Sequence, residues 1–178
     1  YCGEIKEMKF LRGVLYVLLF VVSTSSCGYH LAGYGSTLPS HIRTISIPVF
    51  KNSSPEPNIH RDATDAVRRA FISDSRLRVV NTNKADLLMR GTLTDYQLRA
   101  VSFSAADAVE EYIVRLGVQI ESYDRVKKKI FFKQKFTTQW DYRVTSSVVD
   151  SESARFTALK EAYDDLADQL VSTTIEQF

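Results

Sequence analysis

Charge of one sign is what this sequence lacks most plainly. Its 178 residues carry 23 Lys+Arg against 21 Asp+Glu, a formal net charge of +2. No global basic field exists of the kind that draws a protein to nucleic acid, so no nucleic-acid partner is expected and any basic site must be local. Cysteine is nearly absent, with only Cys2 and Cys27. Cys2 falls in YCGEIKE, ahead of Met8, a stretch that reads as an upstream extension before the true initiator. Cys27 then stands alone in the working chain, and no intramolecular disulfide is possible. Long apolar runs are missing too: Gly13 to Val22 supplies ten residues, where a membrane-spanning helix needs about 20. The three histidines, His30, His41 and His60, are scattered, and no HExxH, GxSxG or paired-cysteine metal pattern occurs. No catalytic residue, metal site or cofactor is expected, and the chain does not read as an enzyme. Neither an internal repeat nor a low-complexity segment is visible. With 44% hydrophobic and 25% charged residues, the composition is that of one ordinary globular domain.

What is present begins with a leader. Met8-Lys9-Phe10-Leu11-Arg12 is short and positive, Val14 to Val22 is apolar, and Ser23-Thr24-Ser25-Ser26 leads into Cys27. The length fits a signal peptide, and small residues ending in a cysteine are the layout of a bacterial lipoprotein. In that reading Cys27 is lipidated on its thiol and becomes the first residue after cleavage. Thr24 stands where the recognition box usually has an aliphatic residue; an ordinary secretory signal with a free Cys27 thiol is the alternative. Stable anchoring takes more than one acyl chain, each buried methylene contributing about 0.8 kcal/mol. Residues 28–41 carry Gly33, Gly35, Ser36 and Pro39 without periodicity, which reads as a tether, poorly packed up to about His41. The expected organisation is an extension and signal peptide over 1–26, a lipidated tether over 27–41 and one domain over 42–178.

Within that domain, Thr44 to Phe50 is a β-rich run containing Pro48, followed by a breaker cluster from Lys51 to Pro57. Ile59, Ala63, Ala66, Val67, Ala70 and Phe71 recur at helical spacing from about Asn58. Leu77 to Val80 and Leu87 to Leu98 read as strands, the second with Gly91 as a bulge or close-packing site. Tyr112, Val114, Leu116, Val118 and Ile120 alternate with Ile113, Arg115, Gly117, Gln119 and Glu121, and Ile130, Phe132, Phe136, Trp140 and Tyr142 with Phe131, Lys133, Lys135, Thr137 and Gln139, which predicts two strands with one buried face. Lys127, Lys128 and Lys129 lie at the tip between them. A closing helix from about Asp150 carries Phe156, Leu159, Tyr163, Leu166 and Leu170 inward, capped by Ser151 or Asp150. The fold class is therefore α+β: a two-layer sandwich, two helices on one face of a four- to five-stranded mixed sheet, in the order β-α-β-β-β-α. The other face is left uncovered, presenting Arg115, Gln119, Lys133 and Lys135.

Several segments together resemble one family, the outer-membrane lipopolysaccharide-assembly lipoproteins, LptE, also called rare lipoprotein B. They are Cys27-Gly28-Tyr29-His30-Leu31-Ala32-Gly33, Leu38-Pro39, Ile45-Ser46-Ile47-Pro48-Val49-Phe50 with Asn52, Ala85-Asp86 leading to Gly91, Glu111-Tyr112, and the closing helix. The likeness extends over essentially all of the chain after the leader. It implies a non-catalytic protein, lipid-anchored on the periplasmic side of the outer membrane. Such a protein binds and plugs the lipopolysaccharide-translocating β-barrel, assists its assembly and contacts lipopolysaccharide. Gly28 after the cysteine resembles lipoproteins sent to the outer membrane.

Lipid A and the inner core carry phosphates and carboxylates, for which Lys and Arg are the complementary groups. Arg115, Lys133 and Lys135, with Lys127, Lys128 and Lys129 at the tip, are the candidate lipopolysaccharide contacts. A solvated strand face whose lysines discourage edge pairing is the plainer reading of the same residues. Among the aromatics, Phe131 has the outward parity and is the candidate barrel contact. The competing function is a periplasmic lipoprotein pilot or adaptor for another envelope or secretion complex, without lipopolysaccharide binding.

Overall fold

The structure, a computed structural model, describes residues 38–80 and 84–176. Cys27, its leader and the chain up to residue 37 lie outside the described residues, and so do the expectations about cleavage and lipidation placed on them. The elements are β1 (Thr44–Ser46), β2 (Lys51–Asn52), α1 (Ile59–Asp74), β3 (Arg78–Val79), β4 (Leu87–Phe103), β5 (Val109–Asp124), β6 (Lys129–Arg143) and α2 (Val148–Glu176). Two helices on a mixed sheet is the expected class, but the strands number six and the order is β-β-α-β-β-β-β-α. The difference from the expected β-α-β-β-β-α lies in the short strands. Pro48 has no amide hydrogen to place in a ladder, so the run from Thr44 stops pairing at Ser46 and resumes at Lys51.

Both halves of that interrupted run lie along one edge of β4, and both are parallel to it. Ile45 pairs with Leu87 and Ser46 with Leu88; Lys51 pairs with Thr92 and Asn52 with Leu93. The sheet order is β3-β1-β4-β5-β6, with β2 beside β4. β4, β5 and β6 form an antiparallel meander of long strands.

Period two puts Leu87, Met89 and Leu93 of β4, Val114 to Ile120 at even positions on β5, and Phe132, Phe136 and Tyr142 of β6 toward the helices. α1 answers with Ile59, Ala63, Ala66, Val67 and Phe71, and α2 with Leu159, Ala162, Tyr163, Leu166, Leu170 and Ile175. Each fully buried large aliphatic stabilises by about 1.5–3 kcal/mol. Gly91 is a close-packing site, as expected. The Phe50 ring lies against it, and a Cβ there would be 2.5 Å from Phe50 Cδ1.

The closing helix departs from expectation at its start. It begins at Val148, and Ser147 caps it, its Oγ accepting from the Asp150 amide at 3.3 Å. Ser151 is inside the helix, where its hydroxyl bonds back to the Ser147 carbonyl at 2.9 Å. Phe156, expected in the core, is 61% exposed. In its place Arg155 turns inward, donating to Tyr96 Oη at 3.2 Å and to Glu152 Oε2 at 3.0 Å, with its guanidinium 5.0 Å above the Phe156 ring. The first turns of α2 cross a polar rim of the sheet, so a helical repeat projected back from Leu159 overshoots the core.

The segment just before β1 is better packed than a tether. Leu38 rests against the core, the Ile42 amide donates to the Pro39 carbonyl at 2.9 Å, and His41 Nε2 lies 2.7 Å from Asp124 Oδ2. No helix among the described residues is long and apolar enough to cross a membrane.

Candidate functional site

The sheet face away from the helices takes its character from one bulge. Leu93 of β4 pairs with Val118, but the next pairing is Asp95 with Gly117, so Thr94 is the extra residue. An uninterrupted alternation from Leu93 would aim Asp95 at the core. The bulge turns Asp95 to the open face and Tyr96 to the helix side, where it meets Arg155. Thr94 Oγ1 bonds the Gly117 carbonyl at 3.2 Å and holds the bulge in place.

Charges on this face are organised across strands. Lys133 of β6 lies 3.2 Å from Glu121 Oε2 of β5, and Arg90 of β4 lies 3.7 Å from Glu121 Oε1. Lys135 of β6 donates to Asp95 Oδ2 of β4 at 2.5 Å, over Gly117 of the strand between them. The bonded Lys135 ammonium outweighs desolvation and, with Thr94 and Arg115, holds the Asp95 carboxyl below the usual carboxylate range.

Between β2 and this ladder lies a depression of about 370 Å³, lined by Pro48, Val49, Lys51, Arg90, Gln119, Glu121 and Lys133 among others. Three cationic side chains thus surround one carboxylate, a local excess of two positive charges on a nearly neutral protein. Such an arrangement suits a multiply charged anionic group: Arg offers a planar fork and Lys a mobile point charge. Gln119 and Thr92 add polar groups to the same wall.

The residues singled out from sequence distribute unevenly around it. Lys133 lines the depression; Lys135 stands on the same face, tied to Asp95. Arg115 is exposed on that face between Gln97 and Gln139, outside the depression. Lys127, Lys128 and Lys129 sit at the β5–β6 turn, beyond it. Phe131 does not have the outward parity expected of a barrel contact. Ser122 pairs with Phe132 and Tyr123 with Ile130, which leaves Phe131 as a bulge residue. Its ring packs half-buried against the core, while Ile130, expected inward, is 53% exposed. Lys51 and Arg90 were not predicted. Arg90 was within reach, since it has outward parity between Met89 and Gly91. Lys51 was not, because only the parallel crossover brings it beside β4.

A second polar centre lies at the end of the sheet where the chain enters β1. Asp124, 1% exposed, accepts from His41 and, through Oδ1, from the Val126 and Lys127 amides at 2.9 Å. Burial pushes its carboxyl up, but these donors outweigh that and hold it below the usual range. Asp86 beside it is likewise lowered: desolvation is outweighed by donors from Thr44 and Arg43. Among the described residues no group of His, Cys, Asp and Glu is arranged to hold a metal ion.

Known proteins carry the same framework. Rare lipoprotein B of Shewanella oneidensis matches with 17% identity over 70% of this chain and 91% of that one, TM-score 0.51. The minor lipoprotein of Acinetobacter baumannii matches with 19% identity over 76% and 92%, TM-score 0.51. Lipoprotein B of Nitrosomonas europaea, known from solution NMR, matches with 16% identity over 79% and 90%, TM-score 0.54. At these identities the likeness establishes the fold. Among curated proteins no sequence matches. The family model for lipopolysaccharide assembly, LptE, matches residues 42–174, which is nearly the whole domain. The chain belongs to the LptE lipopolysaccharide-assembly family.

Proposed function

We propose that this protein is an outer-membrane lipoprotein, anchored through Cys27 on the periplasmic side. In this reading it seats in the lipopolysaccharide-translocating β-barrel, plugs it, assists its assembly and contacts lipopolysaccharide in transit. The role is one of binding and no covalent step is assigned to it. The observation that carries the reading is the open-face depression, where Lys51, Arg90 and Lys133 surround Glu121. Lipid A phosphates arriving there displace Glu121 from Lys133 and Arg90, exchanging two exposed ion pairs, each worth little, for charge-assisted contacts to a multiply charged group. Lys135 and Arg115 extend the cationic surface along the same face.

Family membership supports an assembly role. Two results test the reading together. The protein should co-purify one-to-one with a large outer-membrane barrel, and its depletion should reduce lipopolysaccharide at the cell surface. Normal surface display after depletion rejects the function, and co-purification with a secretin ring or an inner-membrane complex assigns the chain to a pilot or adaptor role.

A further inference from the structure

Strand β6 has a neighbour on one side only. It ends the order β3-β1-β4-β5-β6, and among the described residues no strand pairs with its outer edge. Which of its backbone groups are left over follows from the ladder. The Val144 amide donates to the Glu110 carbonyl at 2.8 Å, and from Lys133 to Arg143 the register with β5 runs without a shift. Antiparallel pairs alternate between bonded and non-bonded, so the even-numbered residues of β6 bond β5. The amides and carbonyls of Lys133, Lys135, Thr137, Gln139, Asp141 and Arg143 point outward instead. This edge also lacks the usual guards. It holds no proline, glycine or bulge, and its two lysines lean away across the sheet, Lys133 to Glu121 of β5 and Lys135 to Asp95 of β4.

The charges flanking the edge define its complement. α2 faces α1 through Asp164, Ala167 and Val171, so its opposite flank, with Glu161 and Asp165, overlooks β6. Thr138 Oγ1 donates to Asp165 Oδ2 at 2.6 Å. Asp141 is exposed on the open face, and neither it nor Glu161 has an ion-pair partner among the described residues. Of the cations on the strand, Lys133 and Lys135 are already bridged and Arg143 stands at its end. A second copy paired β6 to β6 would bring two acidic α2 flanks together, which like charges oppose. We propose that the free edge of β6 takes up an extended, basic segment of the barrel partner as an added strand. This rests on the barrel reading given above. A closed barrel wall has no unpaired backbone to offer, so the segment comes from a loop or a terminal extension. Main-chain bonds hold it, and its Lys or Arg side chains meet Asp141 on one face and Glu161 and Asp165 on the other. A strand added at the edge leaves the open-face depression uncovered for lipopolysaccharide.

The test uses the full lipidated chain, alone and in its purified complex with the barrel. Hydrogen exchange resolved to single amides should slow in the complex at Lys135, Thr137, Gln139 and Asp141. The even-numbered amides, already bonded to β5, should be slow in both. Thr137→Pro deletes an outward donor and no bond of the β5 ladder. It should leave the thermal midpoint of the free protein near that of the parent and weaken the complex by about tenfold or more. Should the proline unfold the chain, Asp141→Lys combined with Glu161→Lys carries the test, since both residues are exposed, and this reversal should weaken the complex comparably. Outward amides that exchange equally in both forms, or a complex indifferent to the substitutions, overturn the proposal. Protection of the same amides on concentrating the free protein, with a doubling of its mass, gives the edge to a second copy and overturns it too. A parent chain that does not hold the barrel refutes the barrel reading and this inference with it, whereas a stable complex with the edge unprotected refutes the inference alone.

Discussion

Asp95 on β4 and Lys135 on β6 meet at 2.5 Å although a whole strand lies between them. The contact exists because Gly117, on β5, has no side chain to fill the space. A Cβ there would stand 2.6 Å from Asp95 Oδ2. Gly117→Ala should therefore displace the Asp95 carboxylate and break the bridge at little cost, because the pair is exposed. Gly91→Ala should cost more, about 1–3 kcal/mol, since its Cβ meets the buried Phe50 ring rather than the end of a movable side chain. Urea denaturation of the two variants side by side checks the order. A larger loss at Gly117 contradicts it.

Acid should loosen the end of the sheet that holds Asp124. Its folded carboxyl titrates below the ordinary value near 3.8, as do Asp86 and Asp74. A lowered folded pKa contributes stability that is fully present above the unfolded value and is lost as pH falls through the folded one. Stability should thus hold from neutral pH down to about 5 and decline below 4. Asp124→Asn should lower stability at neutral pH by about 1–2 kcal/mol and flatten the decline. Unfolding midpoints measured from pH 7 to pH 3 would show whether the two curves converge in acid, as required.

Helix α2 offers a contrast between neighbours of similar hydrophobicity. Leu166 is fully buried and Phe156 is 61% exposed. Leu166→Ala should cost about 2–5 kcal/mol, and Phe156→Ala no more than about 0.5 kcal/mol. Thermal unfolding separates the two outcomes readily.

Much of this fold was readable because its long strands alternate cleanly. Val114 to Ile120 on β5 and Ala63, Val67 and Phe71 on α1 occupy the buried positions that period two and period 3.6 assign them. The failures fall where the period breaks. At Phe131 an added residue exchanges the expected exposures of Ile130 and Phe131, and at Thr94 another turns Asp95 outward. A bulge leaves no mark in the alternation of side-chain types, so its effect on facing is visible only in the paired strands. Phe156 was misplaced for a different reason: Ala154 and Arg155 take the inward positions beside Tyr96, and a three-four repeat does not say which of two adjacent residues turns in. Of the open-face site, Lys133 was legible from parity alone. Lys51 reaches it through a parallel pairing of two residues, too short to announce itself in sequence.

The account rests on the open-face depression receiving the phosphates of lipopolysaccharide. Its most direct test is the affinity of the lipidated protein for intact and dephosphorylated lipopolysaccharide, with Arg90→Glu and Lys133→Glu compared with the parent chain. Each substitution should weaken binding of the intact ligand by about tenfold or more, and dephosphorylation should remove most of the difference between variants and parent. Unchanged affinity in both variants would contradict the assignment of this face.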